Sequence, residues 1–179
     1  RGKYLLVDIE HTTLIIHLGM SGSLRISPPG QPPKLHDHLE WHLDDGRCVR
    51  FNDPRRFGSI HLAVDPGAHP LLSPLGPEPL GHAFDGAYLY RKTRHRRVSI
   101  KSFIMNARQV VGVGNIYASE SLFHAGILPT RSAGRLSRAD CDRLATAIRK
   151  VLAAAIKVGG TTLRDYVDAA GNPGYFRQK

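Results

Sequence analysis

The sequence predicts an α+β protein in which an antiparallel β portion is followed by an all-α portion. Short, alternating or β-branched segments joined by turns occupy residues 4–62. Residues 64–82 contain five prolines and scattered glycines, a density that excludes a regular helix or strand. Beyond that stretch, apolar residues recur at helical spacing. Hydrophobic residues make up 41% of the 179 residues, enough for a packed core.

The β portion is predicted from its apolar patterning and from its turns. The segment DDG at 44–46 is a strong hairpin signal, and SPPGQPP at 27–33 is a loop that proline keeps out of a sheet. Strands this close together in sequence predict an antiparallel sandwich or meander. The predicted strand segments are KYLLVDIE (3–10), TLIIHL (13–18), HLEWHL (38–43) and RCVRF (47–51).

Two segments predict helices. NIYASESLFHAGI at 115–127 predicts a helix that buries Leu122 and Phe123, carries Glu120 on its polar side and ends at Gly126. SRADCDRLATAIRKVLAAAIKVGG at 137–160 predicts a longer helix, with Ser137 and Asp140 as a capping pair at its start. Gly159 and Gly160 end this helix. Its apolar stripe consists of Leu144, Ile148, Val151, Leu152, Ala155 and Ile156.

Charge points to a polyanionic partner. Lys and Arg total 25 against 15 Asp and Glu, a net charge of +10 that favours nucleic acid over an acidic membrane. The densest run, YRKTRHRRVSIK at 90–101, fits either a solvated linker face or a groove that follows a nucleic-acid backbone. No apolar run is long enough to predict a membrane span. No leader is visible and the two cysteines are far apart, so we expect a cytosolic protein without a disulfide framework.

The stretch VVGVGNIYASESLF at 110–123 predicts a phosphate site. Gly112 and Gly114 permit unusual backbone angles and close approach of a ligand, and Asn115 can cap the helix or donate a hydrogen bond. A helix N-terminus also offers unpaired N–H groups and a partial positive charge. An ordinary glycine turn with an Asn cap is the alternative.

Three loops carry further candidate residues. NDPRRFGSI at 52–60 presents Phe57 after two arginines, either as a wedge into a base stack or as a packing residue of the sheet. HLGMSGSLR at 17–25 places Met20 between glycines, as a core filler or as an outward probe. In KLHDH at 34–38 no third metal ligand is evident, so His36 is interpreted as a phosphate contact.

Six motifs of this chain resemble, in their order, those of bacterial formamidopyrimidine-DNA glycosylases: HLGMSGSLR, DPRRFG, LGPEPL, VVGVGNIYASESLF, GGTTLRDY and GNPGYF. The resemblance runs from Arg1 to Lys179. It implies part of a β-sandwich at residues 1–64, a proline-rich linker at 65–90 and a helix–two-turn–helix DNA-binding domain at 91–179. It also implies a bifunctional DNA-repair glycosylase and lyase, a monomer that excises oxidised purines such as 8-oxoguanine and formamidopyrimidines from double-stranded DNA and nicks the strand by β,δ-elimination.

The same resemblance implies roles for individual residues. Met20, Arg55 and Phe57 would fill the space left by the extruded base, with Arg55 facing the orphaned cytosine. Lys3 would be the proton donor for β-elimination, and Glu120 would brace the phosphate clamp. Residues 161–176 would cover the flipped base. The DNA contacts implied are His36, Arg55, Arg96, Lys101 and Asn115.

The chain departs from the family pattern in two places. The N-terminal proline nucleophile with its following glutamate, and the C-terminal four-cysteine zinc finger with its arginine, do not occur in the sequence. We therefore expect a fragment that binds damaged DNA without excising the base, and zinc only in complete family members.

Two alternatives stay open at this point. One is an endonuclease VIII-type glycosylase for oxidised pyrimidines, which HLGMSGSLR and DPRRFG disfavour. The other is a non-catalytic helix–two-turn–helix module that binds nucleic acid. The preceding β half with its wedge loop argues against this module.

Overall fold

The computed structural model describes residues 1–158, which form two compact units. Residues Lys3–Pro66 make up the β unit, and residues Gly67–Lys157, together with Arg1–Gly2, make up the helical unit. Their contents confirm the α+β class. The predicted helix end at Gly159 and Gly160 and the predicted loop at 161–176 lie outside the described residues.

The β unit contains two three-stranded antiparallel sheets, with strand orders β1-β2-β6 and β3-β5-β4. The DDG hairpin is confirmed: Gly46 adopts a left-handed φ of 81°, and the Leu43 N–H donates to the Arg47 carbonyl at 2.9 Å. The predicted loop at 27–33 lies almost wholly between strands. The six strands are β1 (Tyr4–Ile9), β2 (Thr12–His17), β3 (Ser23–Ser27), β4 (Asp37–His42), β5 (Cys48–Asn52) and β6 (Ser59–Ala63).

Packing in the β unit is incomplete among the described residues. Ile15, Ile16 and Phe51 are buried, whereas the apolar side chains of β1 are largely exposed. A cavity of about 360 Å³ is lined by apolar side chains of both sheets, including Val7 and Trp41. The β unit therefore has only a small apolar core of its own.

The helical unit has a continuous core, to which Leu89, Ile100, Leu122 and Leu144 contribute fully buried side chains. Its helices are α1 (Gly86–Thr93), α2 (Ile100–Met105), α3 (Asn115–Ala125) and α4 (Arg138–Lys157), with a short 3₁₀ turn at Ala133–Arg135 before α4. No helix in residues 1–158 is long and apolar enough to cross a membrane.

The predicted helix signals at α3 and α4 are largely confirmed. The Ser137 N–H donates to the Asp140 carboxylate at 2.9 Å, and the Asp140 N–H donates to the Ser137 hydroxyl at 3.1 Å. This reciprocal pair is the predicted cap of α4. Helix α3 ends at Gly126, which is left-handed with a φ of 66°.

The structure differs from the predicted linker at 65–90. Helix α1 begins at Gly86, inside that range, with Asp85 as its N-cap. Leu72 and Phe84 are buried, so much of the stretch belongs to the compact helical unit. Proline prevents regular backbone hydrogen bonding but leaves apolar side chains free to pack. The high proline content of this stretch therefore indicates an irregular backbone and not a solvent-exposed linker.

Three predicted side-chain orientations are wrong. Phe123 is 81% exposed and Glu120 only 7% exposed, the reverse of the expected arrangement on α3. Ala118 and Leu122 are buried, and so is Glu120, which lies on the opposite side of the helix from Ala118. Other parts of the chain therefore cover α3 on more than one side. Ile156 on α4 is exposed because it lies at the margin of the stripe in the last turn.

Candidate nucleic-acid interface

Two loops of the β unit present the predicted wedge residues. Met20 lies between β2 and β3, and Phe57 lies between β5 and β6, so each loop crosses from one sheet to the other. Met20 is 69% exposed and Phe57 is 56% exposed, so neither serves as a core filler. The Arg55 guanidinium carbon lies 4.8 Å from the centroid of the Phe57 ring. The arginine and the phenylalanine thus form one stacked pair.

Asp53 ties the two loops together. One carboxylate oxygen accepts the Ser21 hydroxyl at 2.7 Å, and the other accepts the Gly58 N–H at 2.7 Å. The Arg55 N–H in turn donates to the Ser21 hydroxyl oxygen at 3.3 Å. Asp53 itself is only 1% exposed. This group of bonds, the Asp53 tie, fixes the loop of Met20 against the loop of Phe57.

The charge state of Asp53 follows from its partners. Burial acts to raise the pKa of this carboxyl, but hydrogen bonds from Ser21, Gly58 and two neighbouring backbone N–H groups outweigh burial and lower the pKa overall. The carboxylate is therefore ionised at neutral pH. An ionised acceptor makes the stronger hydrogen bonds, which suits its role in holding both loops.

Glycine at position 19 is required for the loops to touch. Gly19 is left-handed with a φ of 66°, and a Cβ there would lie 2.6 Å from the backbone of Phe57 and Gly58. Its N–H donates to Nδ1 of His17 at 3.0 Å. Burial, followed by the positive charge of Lys3, lowers the pKa of His17. Lys3 directly precedes Tyr4, which pairs with His17 across β1 and β2 at the start of the Met20 loop.

His36 lies at the base of the same loops. Its φ is 73°, a left-handed backbone, and its carbonyl accepts the Asp53 N–H at 3.1 Å. His38 instead contacts the Asp53 carbonyl through Nε2 at 2.9 Å. Hydrogen bonds thus connect the loops of Met20, His36, Arg55 and Phe57 in the β unit. Lys3 lies next to this set in the chain, because its neighbour Tyr4 pairs with His17.

The described residues do not fit a zinc site. Residues 1–158 contain no group of three His, Cys, Asp or Glu side chains arranged to hold a metal ion. Cys48 and Cys141 are both buried, and they lie in different units.

In the helical unit, backbone hydrogen bonds join the segment from Arg96 to Lys101 to residues 129–134. The Lys101 N–H donates to the Pro129 carbonyl at 3.2 Å, and the Gly134 N–H donates to the Arg96 carbonyl at 2.8 Å. These backbone bonds hold both residues while leaving the Arg96 side chain exposed. Within residues 1–158 the Arg96 guanidinium has no hydrogen-bond or ion-pair partner.

The N-terminus of α3 is open. Gly114 is the N-cap without a side-chain hydrogen bond, and no acidic residue occupies the first turn. The first backbone bond of the helix joins the Ala118 N–H to the Gly114 carbonyl at 2.8 Å, so the N–H groups before it have no helical partner. Unpaired N–H groups and the helix dipole suit an anion here.

The turn before α3 corrects two details of the prediction. Gly112 has the expected left-handed φ of 79°, but Gly114 has an ordinary φ of −91°. Asn115 is the first helical residue rather than the cap, because the cap position falls to Gly114. The Asn115 side chain is exposed and makes no hydrogen bond within residues 1–158. Its amide is thus presented at the open helix end.

Glu120 does not contact the clamp by a hydrogen bond within residues 1–158. Burial raises the pKa of its carboxyl, and nearby His124 opposes that rise only in part. The hydroxyl of its neighbour Ser121 is also buried without a partner among the described residues. The bracing role expected of Glu120 stays a prediction.

Sequence reasoning missed Ser21, Asp53 and His17. Each of them makes hydrogen bonds that hold the loops of Met20 and Phe57, and none lies at a loop tip. An Asp directly before a proline in a turn is a signal for local backbone hydrogen bonding. That signal indicates bonds to the backbone N–H groups just after Asp53, but neither the Gly58 bond, five residues on, nor the Ser21 bond, 32 residues away.

Sequence models of two domains match the chain. The formamidopyrimidine-DNA glycosylase N-terminal domain matches residues 1–60, and the formamidopyrimidine-DNA glycosylase H2TH (helix–two-turn–helix) domain matches residues 75–167. The fold and these matches define a protein in which a helix–two-turn–helix domain follows a β-rich glycosylase domain.

Similar proteins agree with that class. The chain is 59% identical over 179 residues to formamidopyrimidine-DNA glycosylase of Thioalkalivibrio sulfidiphilus, covering 99% of this chain and 66% of the relative. It is 58% identical over 177 residues to the same-named protein of Thiobacillus denitrificans, with the same coverage. The chain belongs to the formamidopyrimidine-DNA glycosylase family and spans 66% of the length of these relatives.

Solved structures show the same fold. The crystal structure of the MutM (Fpg) protein from Thermus thermophilus matches with a TM-score of 0.89 and 40% identity, covering 98% of this chain and 66% of that one. A complex of a Lactococcus lactis Fpg mutant with Fapy-dG-containing DNA matches with a TM-score of 0.87 and 34% identity, covering 97% and 65%. A complex of Lactococcus lactis Fpg with DNA containing an abasic site also matches, with a TM-score of 0.87 and 32% identity, covering 97% and 65%.

Proposed function

We propose that this chain is the DNA-holding part of a base-excision repair enzyme that acts on oxidised purines in double-stranded DNA. The observation that carries the proposal is the exposed set of Met20, Arg55 and Phe57 on two loops fixed by the Asp53 tie. Family membership supports the proposal, and so do the related structures whose DNA contains a lesion or an abasic site. The complete protein would be a DNA glycosylase and abasic-site lyase.

The wedge would compensate for extrusion of the damaged base. Taking a nucleotide out of the stack costs a few kcal/mol, which inserted side chains offset by restoring contacts. The stacked Arg55–Phe57 pair and Met20 offer apolar surface together with a planar cation. The Arg55 donors would meet the acceptors O2 and N3 of the orphaned cytosine, favouring C over A opposite the lesion.

Backbone contacts would hold the duplex. The open N-terminus of α3, with Asn115 beside it, suits a phosphate, and Lys101, Arg96 and His36 would contact further phosphates. The net charge of +10 supports this electrostatic attraction. Lys3 would deliver the proton for β-elimination in the complete protein.

Base removal itself would need the N-terminal proline amine of the family. An α-amine with a pKa near about 8 keeps a neutral fraction that can form a Schiff base with the sugar. The proline and its glutamate do not occur in this sequence, so we propose that the 179-residue chain binds damaged duplex without excising the base. A monomeric state and a cytosolic location stay predictions.

The proposal is tested by duplex binding. We expect the chain to bind a duplex with 8-oxoguanine opposite cytosine more tightly than the undamaged duplex. Arg55→Ala should weaken the preference for C over A opposite the lesion more than it weakens overall affinity. Arg47→Ala, which removes an exposed arginine from the β4–β5 hairpin, is the control. Equal binding of damaged and undamaged duplex by the wild-type chain would contradict the proposal.

Lesion choice separates the purine enzyme from its endonuclease VIII-type relative. The full-length protein, with its preceding and following segments restored, should excise 8-oxoguanine in preference to thymine glycol. The opposite preference would assign the chain to oxidised pyrimidines. No excision of either lesion would favour a non-catalytic module.

A further inference from the structure

A second feature of the β unit is a polar cleft on the sheet formed by β3, β5 and β4. Its volume is about 260 Å³, and it opens beside His36. Among the charged side chains of the lining, three are cationic and one is a carboxylate. The charged lining residues are Arg25, Lys34, Asp37 and Arg50, next to His36 and Asn52.

The register of the sheet leaves one cation in this cleft without compensation. Arg25 lies directly opposite Arg50, and Arg50 lies directly opposite Glu40, so the three side chains form one row across the sheet. Like charges directly opposite each other destabilise an antiparallel pair, whereas the Arg50–Glu40 pair is favourable. Glu40 neutralises Arg50, which leaves Arg25 as the excess charge of the row.

Arg50 serves the structure rather than a ligand. It is buried, its Nε donates to the Glu40 carboxylate, and its other two nitrogens donate to the carbonyls of Gln31 and Pro32. This use of all three nitrogens holds the proline-rich loop against the sheet. Arg50 therefore has little remaining capacity to bind an anion.

Arg25 and Lys34 are available. Both are exposed, and within residues 1–158 neither the Arg25 guanidinium nor the Lys34 ammonium has a hydrogen-bond or ion-pair partner. The Asp37 carboxylate is occupied at both oxygens, by the Lys34 N–H at 2.7 Å and the Asn52 amide at 2.8 Å. Burial acts to raise the pKa of Asp37, but these two hydrogen bonds and the charges of Arg50 and Lys34 lower it overall. Asp37 therefore attracts the Lys34 ammonium, although within residues 1–158 it forms no ion pair with Lys34 or Arg25.

We propose that this cleft binds a backbone phosphodiester of nucleic acid, with Arg25 and Lys34 as its charged contacts beside His36. The inference rests on the proposed DNA-binding function and extends it to two residues with no assigned role. A guanidinium fork and an ammonium around one small polar cleft match the geometry and charge of a phosphodiester. Its occupation would anchor the sheet side of the wedge loops, because the His36 carbonyl is bonded to the Asp53 N–H.

The salt dependence of duplex binding tests the two contacts. Arg25→Gln and Lys34→Gln should each reduce the slope of log affinity against log salt by about 0.9, and the double variant by about twice that. At 0.1 M salt, each loss corresponds to roughly a tenfold weaker affinity. Arg47→Gln is the matched control, since it removes the same charge from the neighbouring hairpin outside the cleft. If the double variant and the control have the same slope of log affinity against log salt, the inference is overturned. The proposed duplex binding is not affected by that result.

An NMR titration with a small phosphodiester tests this inference separately from the proposed function. Dimethyl phosphate, a phosphodiester without bases, should cause saturable NMR shifts of the Arg25 Nε–H and the His36 ring in the wild-type chain. The His36 shift should disappear in the double variant. Shifts with inorganic phosphate but none with dimethyl phosphate would overturn the nucleic-acid assignment. If the wild-type chain bound no duplex, the proposed function would fail, and absent dimethyl phosphate shifts would then overturn the cleft as well.

Discussion

Asp53 in the β unit and Glu120 in the helical unit are both buried carboxyl groups, and their surroundings shift the two pKa values in opposite directions. Asp53 in the β unit accepts hydrogen bonds on both oxygens, which lowers its pKa despite burial. Glu120 in the helical unit has no hydrogen bond within residues 1–158, so burial raises its pKa. The first is held as an anion that organises loops, whereas burial makes the charged form of the second less favourable than in a solvated carboxyl group.

The difference reflects how each unit is stabilised. The helical unit has an extensive apolar core, and its site residues lie at helix ends and in backbone-paired segments. The β unit buries fewer apolar side chains, and its site residues lie on loops that polar bonds hold. Loop geometry in the β unit thus depends on the ionised Asp53, whereas in the helical unit the buried carboxylate Asp140 supports a helix cap beside an extensive apolar core.

The largest expected effect tests the core of the helical unit. Leu144→Ala removes a fully buried side chain and should lower the free energy of unfolding by about 2–5 kcal/mol. Leu62→Ala, at an exposed leucine of β6, is the control and should change it by less than about 0.5 kcal/mol. Denaturant unfolding measures both. Similar losses in the two variants would remove the contrast between the units.

The next effect concerns the Asp53 tie. Asp53→Asn should cost about 1.5–3 kcal/mol, because hydrogen bonds to a charged group are lost, and should expose the Gly58 amide to hydrogen exchange. The wild-type contribution is present above the unfolded pKa of about 3.9 and is lost as pH falls through the lower folded pKa. Asp44→Asn, at an exposed aspartate of the β4–β5 hairpin, is the control. Unchanged Gly58 protection in Asp53→Asn would show that the loops do not need the anion.

The opposite sign of pH dependence is expected at Glu120. Since its pKa is raised in the folded state, its contribution to stability is greatest below the unfolded value of about 4.3 and declines as pH rises through the folded value. Glu120→Gln should therefore stabilise the chain relative to wild type increasingly between pH 4 and pH 7. Thermal unfolding across this range measures the trend, with Glu78→Gln as the exposed control. A difference independent of pH would contradict burial as the cause.

The smallest expected loss of stability comes from replacing one turn glycine in each unit. Gly46 in the β hairpin and Gly112 before α3 have nearly equal left-handed φ values of 81° and 79°, and neither site would crowd a Cβ. Substitution by Ala should cost about 1 kcal/mol at each position, since only the backbone is strained. Denaturant unfolding of the two variants gives the comparison. A much larger cost at Gly112 would indicate an additional demand on the turn before α3.

Local signals accounted for most of the fold. The predicted strand at 13–18 is observed one residue earlier, and Ser137 with Asp140 caps α4 as expected, because each feature depends on neighbours in sequence. The burial of Glu120 could not be predicted from the spacing within α3, since segments distant in sequence cover its second side. Packing of Phe84 within the predicted linker was missed for the same reason.

The exposed candidate residues of the site were predicted from sequence, whereas the hydrogen bonds that join their loops were not. Met20 and Phe57 lie in glycine- and arginine-rich loops that sequence alone marks as exposed candidates. The bond between Ser21 and Asp53 joins residues 32 positions apart, and nothing in either segment specifies the other. The connected loops therefore emerged only from the tertiary structure.

The close approach of Gly19 to the backbone of Phe57 has a practical consequence for protein engineering. Hydrogen bonds join segments 17–23 and 52–59, and there is no space between them for a Cβ at Gly19. An insertion in one segment would therefore require a matching change in the other. Two loops joined in this way should be transplanted between homologous scaffolds together, never singly.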